Sequence, residues 1–192
     1  MEYIISVFLL LFGWRLAKYI STPLLKKIGF YKYYSPMFLT VSIFPGRVEI
    51  HLGTSWDFFK HRKITPKLLL GYLAEGLVNL CEDIENGTIP ENKLIQGNIH
   101  YLKSSTTKKF GFNTRNYNFF EFILFLLNYI ELCILKTISY GRPSIVRLQN
   151  NKIHYCRAKD LVKNKSKYFE YLRYLKQSSS DSVQLMIIKK CA

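Results

Sequence analysis

Two long apolar stretches bracket a chain in which strand-like alternation and helix-like periodicity otherwise take turns. The first, Tyr3 to Trp14, reads YIISVFLLLFGW. It offers about twelve apolar positions against the roughly 20 needed to cross a bilayer as a helix. Extension to Ile20 reaches that length if Arg15 and Lys18 snorkel toward headgroups near one end. Only Glu2 is charged ahead of this stretch, whereas Arg15, Lys18, Lys26, Lys27 and Lys32 follow it. That asymmetry is unlike a cleaved signal peptide and predicts an N-terminal anchor over 1–20 with the rest of the chain on the cytoplasmic side.

After a basic and aromatic stretch from Ile28 to Pro36, β-rich runs at Phe38 to Phe44 and Arg47 to Leu52 flank Pro45-Gly46 and predict a hairpin. Thr65 as N-cap and Pro66 at the first helical position open a helix ending near Gly87, with Leu69, Leu73, Leu77, Leu80 and Ile84 as its apolar stripe. A strand is expected from Lys93 to Leu102 and a short helix from Ser104 to Lys109. The second apolar stretch, Phe119 to Ile138, holds Glu121, Asn128 and Glu131. A charge at mid-bilayer is costly, so a buried or half-immersed helix is expected there in place of a second span. A hairpin, Ser144 to Leu148 and Lys152 to Cys156, and a basic helix, Lys159 to Lys176, complete the pattern. The order predicts one α+β domain over 21–177, with a mixed or antiparallel sheet flanked by helices, preceded by the anchor and followed by a Ser-rich joint and short apolar tail over 178–192.

The length of 192 residues fits one domain plus an anchor, and nearly half the residues are hydrophobic, which excludes the disordered class. A net charge of +15 exceeds what solubility requires. It points to an anionic partner: membrane lipid first, an acidic carrier protein second, nucleic acid third. Cys81, Cys133, Cys156 and Cys191 form no Cys-x-x-Cys pair, so neither a disulfide framework nor a metal site is suggested.

The densest candidate chemistry lies between a strand end and a helix start: His51, Ser55, Asp57, His61 and Arg62. A carboxylate orienting a histidine that deprotonates a hydroxyl can be assembled from this set, with Asp57 as orienter and Ser55 as nucleophile. Thr54, Ser55 and Asp57 more commonly cap a turn through side-chain to backbone bonds. His100, within an apolar strand, is a further candidate. In the basic C-terminal section Lys159, Lys163, Lys167 and Arg173 are the candidates for lipid or other anions, interleaved with Tyr and Phe that also suit nucleic acid.

The segment Ile99 to Phe112, IHYLKSSTTKKFGF, resembles the strand, short helix and Lys-x-Gly-Phe ending of the GNAT family of N-acetyltransferases. The resemblance implies acyl transfer. That family also holds the coenzyme A pyrophosphate on a glycine-containing turn at a helix start, where this chain has Lys63-Ile64-Thr65-Pro66-Lys67 without glycine, so the cofactor stays unknown. Two functions follow as expectations: a membrane-bound transferase working on a lipid or a carrier-bound acyl group, or a non-catalytic adaptor docking acidic partners at the membrane.

Overall fold

The Pro45-Gly46 turn closes the hairpin where the alternation predicts it. β2 (Phe38–Phe44) and β3 (Arg47–Leu52) pair antiparallel, with Thr40 opposite Ile50. The computed structural model describes residues 2–61, 64–99, 104–146 and 152–175. The joint and tail expected over 178–192 lie outside them, as do Arg62 and His100.

Six strands form one mixed sheet in the order β1-β2-β3-β4-β6-β5, with β1 (Tyr31–Ser35), β4 (Leu94–Asn98), β5 (Asn113–Arg115) and β6 (Ile153–Arg157) beside the hairpin. The basic and aromatic stretch before the hairpin thus supplies an edge strand. β3 and β4 are the parallel pair, and such a pair needs a crossover, here made by α3 (Pro66–Glu85). The α3 start matches the sequence pattern: the Thr65 side chain accepts a hydrogen bond from the Leu68 N–H, and Pro66 needs no partner for the N–H it lacks. Leu69, Leu73, Leu77 and Leu80 of its stripe are fully buried against Val48, Ile50 and Ile95 of the sheet. Each is worth roughly 1.5–3 kcal/mol relative to exposure. A Cβ on Gly97 would collide with the Ile50 carbonyl oxygen, so glycine lets β4 run close beside β3.

α6 (Ala158–Lys163) and a further helix, α7 (165–175), lie on the same side of the sheet as α3. The expected basic helix is therefore broken at Asn164. Tyr168 sinks fully into the core and donates to the Phe110 carbonyl at 2.8 Å, just beyond α4 (Ser104–Lys109). The expected C-terminal hairpin is corrected. β6 pairs with β4 and β5, while Ser144 to Val146 are not a strand and are tied to the preceding helix, the Tyr129 hydroxyl donating to the Val146 carbonyl at 3.0 Å. The far pairing wins because β4 and β5 offer two ladders to one strand. Residues 147–151 lie outside the described residues.

On the other face lie α1 (Glu2–Lys27), α2 (Ser55–Lys60) and α5 (Phe119–Tyr140). Pro23 stands inside α1 and has no N–H to give the Tyr19 carbonyl one turn earlier. Trp56 of α2 fills that vacancy, its Nε1 donating to the Tyr19 oxygen at 2.7 Å while the two rings stack at 4.4 Å. Among the described residues, α5 is the helix long and apolar enough to cross a membrane, with mean hydropathy 1.7. The expectation that placed this element at the N terminus is corrected accordingly: the apolar helix lies at residues 119–140. Nor is α5 a buried helix, since only Phe125, Leu135 and Ser139 of its side chains are buried.

Candidate functional site

β3 alternates between two environments. Val48, Ile50 and Leu52 enter the core under α3, and Arg47, Glu49 and His51 point to the opposite face. On that face they are joined by Leu39 and Val41 of β2 and by Gln96 and Asn98 of β4. The register explains the grouping, because Leu39 stands opposite His51, Val41 opposite Glu49, and Glu49 beside Gln96. Above this floor α1 and α5 form walls and α2 closes one end, bounding a half-open cavity of about 500 Å³. That is the size of an ordinary small-molecule site.

Both walls turn charged and polar side chains toward the cavity. α1 lines the cavity with Arg15, Lys18, Tyr19 and Thr22, an i, i+3, i+4, i+7 stripe, while Phe12, Trp14, Leu16, Ile20 and Leu24 are exposed outside. α5 turns Glu121, Asn128 and Glu131 inward together with Leu124, Phe125, Leu132 and Leu135, and leaves Phe119, Phe120, Leu127, Ile130 and Ile134 exposed, Phe120 by 77% and Ile130 by 74%.

The two helices meet through charge. Arg15 donates to Glu131, to the Leu127 carbonyl and, at 2.9 Å, to the Asn128 side chain. Lys18 reaches Asn128 and Glu131 at 3.4 Å each, and the Ser55 hydroxyl donates to the second Glu131 oxygen. On the cavity floor Arg47 pairs with Glu49 at 3.3 Å, and Arg115 of β5, outside the lining, holds Glu121 through two bonds of 2.7 and 2.6 Å. Tyr117 stacks on Phe125, its hydroxyl buried without a hydrogen-bond partner among the described residues.

His51 Nε2 lies 3.9 Å from Glu49, and 48% of its side-chain surface remains reachable by solvent. Protein atoms nonetheless crowd the ring within the cavity. This loss of hydration, reinforced by the Lys18 charge, lowers its pKa to about 4. At neutral pH the imidazole is unprotonated, with a lone pair open to a proton but a weaker basicity than that of a free histidine.

Of the residues singled out in the sequence, His51 and Ser55 line the cavity. Asp57 is buried in a capping box. Its carboxylate accepts from the Thr54 N–H and hydroxyl at 2.8 Å each and from the Tyr33 hydroxyl at 2.7 Å, and His51 is not among its partners. His61 terminates α2, its backbone N–H bonded to the Asp57 carbonyl. Lys159, Lys163, Lys167 and Arg173 are exposed on α6 and α7, the side of the sheet away from the cavity. Sequence reasoning missed Arg47, Glu49, Gln96 and Asn98, although the alternation of polar and apolar residues in RVEIHL was a usable signal. It met Arg15, Lys18 and Glu131 without joining them, because their closeness depends on how two helices separated by more than a hundred residues pack.

Among the described residues, no three His, Cys, Asp or Glu side chains gather as metal ligands. No protein-family model matches the chain, and neither curated proteins nor solved structures show a significant match to it.

Proposed function

We propose that this protein sits at the cytoplasmic face of a membrane, held there by α1 and α5 together, and is a transferase acting on a lipid or a carrier-bound acyl group in the cavity beneath them. One observation carries the reading: both helices direct charged and polar side chains inward onto a cavity and leave large apolar side chains exposed outside. A helix of a soluble domain does the reverse. An exposed face of this kind is stabilised when lipid replaces water around it, at roughly 25 cal/mol per Å² of apolar surface removed from water. The basic residues that follow the apolar part of α1 favour the cytoplasmic side.

Within the cavity His51 is the proposed base. An acceptor hydroxyl or amine attacks the acyl carbon, the bond to the donor's leaving atom breaks, and the proton passes through His51 to that leaving atom. Arg15 and Lys18 are the cations available to hold an anionic part of either substrate. The short helix α4 with Gly111 at its end supports the resemblance to the N-acetyltransferases at that segment alone.

The test compares the lipids and acylated metabolites of cells with and without the gene. A lipid or acyl-group class that changes on deletion is expected to be restored by the wild-type gene and not by His51→Gln. Full restoration by His51→Gln defeats the role given to His51, and the absence of any change favours the second reading, a membrane adaptor. That reading has its own observation: the exposed cations Lys159, Lys163, Lys167 and Arg173 with exposed Phe169 and Tyr174, a surface suited to an acidic protein.

A further inference from the structure

At the seam between α1 and α5 two cations share one carboxylate. Arg15 and Lys18 both converge on Glu131, whereas Arg47 pairs with Glu49 and Glu121 is matched by Arg115 from outside the cavity lining. One positive charge is left over, at the seam where α1 and α5 approach and where their outward faces are apolar. Arg15 is committed by three partners. Lys18 is not: its contacts with Asn128 and Glu131 are long, 3.4 Å each, and 46% of its side-chain surface is open. A flexible cation with weak contacts, beside a fixed guanidinium, is an arrangement that accepts a phosphate group.

We propose that this seam binds the phosphate of a membrane lipid, with Lys18 and Arg15 on the phosphate oxygens, the head reaching down toward His51, and the acyl chains left outside against the exposed faces of α1 and α5. The inference rests on the membrane reading above and names its substrate class. The cavity volume of about 500 Å³ suits this division, being ample for a head and too small for a head together with two long chains. The cavity is also lined toward the helices by Leu124 and Leu132, so the first carbons of a chain meet apolar side chains as they leave. On binding, Lys18 exchanges its long contact with Glu131 for a shorter one with phosphate, and Glu131 keeps Arg15 and the Ser55 hydroxyl.

The full-length protein in neutral detergent is titrated with short-chain phosphatidic acid, with diacylglycerol of the same chain length, and with inorganic phosphate, the His51 ring resonances serving as reporter. Phosphatidic acid is expected to bind about tenfold or more tightly than either of the others. Lys18→Gln is expected to lower that affinity about tenfold, Lys18→Arg to retain it, and Lys27→Gln, an exposed cation of α1 outside the cavity, to leave it unchanged. Equal binding of diacylglycerol would show that chains alone are recognised, and equal binding of inorganic phosphate that the site takes a free anion. Either result, or full affinity in Lys18→Gln, overturns the proposal. Flotation of the wild-type protein with vesicles is scored separately: its loss defeats the membrane reading, whereas a failed titration with flotation intact defeats the phosphate site alone.

Discussion

Asp57 shows how one side chain suits two roles until its neighbours are known. With Thr54, Tyr33 and the α2 N-terminus all satisfied by its carboxylate, Asp57→Ala is expected to destabilise the protein by about 1–2 kcal/mol in denaturant unfolding. A change below about 0.5 kcal/mol would contradict the capping role, since surface positions without partners behave that way. His154 makes a different argument. It is 2% exposed on β6, shares a 2.9 Å hydrogen bond with Thr107, and its pKa is lowered to about 4 by burial and then by the Lys152 charge. The unfolded chain takes up a proton near pH 6.5 and the folded one does not, so stability is full above about pH 6.5 and falls as the pH drops toward 4. His51 acts in the same direction, discounted for its exposure. Unfolding midpoints taken from pH 7 to 4.5 are expected to decline, and His154→Gln to flatten the slope by on the order of 2 kcal/mol across that range. An unchanged slope in the variant would show that His154 is not the group responsible.

At the scale of elements, the exposed apolar side chains of α1 and α5 separate folding from the membrane contact proposed for these helices. Outward residues such as Phe120 and Ile130 touch solvent more than protein, so their replacement removes little packing. The double variant Phe120→Asp, Ile130→Asp is expected to reduce vesicle flotation at least about tenfold while the unfolding midpoint in detergent shifts by less than about 1 kcal/mol. A large loss of stability with unaltered flotation would mean that these side chains are core in some assembly and not lipid-facing. The inward side behaves oppositely. Arg15, Asn128, Glu131 and Ser55 form one network joining three helices, and removing a member leaves its partners unpaired in a partly buried site.

Across the whole molecule the sheet divides two surfaces with different chemistry. The cavity, α1 and α5 occupy one face, and the cationic side chains of α6 and α7 lie over α3 on the other. A helix layer and the sheet between them exceed a Debye length of about 8 Å, so a bilayer touching α5 exerts little pull on Lys159 or Lys167. Reversing Lys159, Lys163, Lys167 and Arg173 to Glu together is therefore expected to leave vesicle flotation intact and to abolish binding to an acidic protein. Loss of flotation in this variant would place the basic surface on the membrane instead. Tight RNA binding that weakens steeply with salt and disappears in the variant would assign the surface to nucleic acid.

The sequence alone determined the features governed by local physics. Pro45-Gly46 set the hairpin, Thr65-Pro66 set the start of α3 and the leucine stripe set its buried face, because caps, fixed φ angles and periodicity act within a few residues. His51 and Ser55 were legible as candidates from their types and their place at a strand end. What only the tertiary structure decided was which distant side chains share a space and which way a helix faces. Apolar residues in α5 signal burial whether the surroundings are core or lipid, so its sequence could not say that Phe120 and Ile130 point away from the protein. β6 had its strand pattern but not its partners, since ladder hydrogen bonds are the same for near and far strands. Arg15 and Lys18, expected to reach for headgroups, turn instead to Glu131, because a carboxylate on the facing helix offers each cation a partner that no local pattern records.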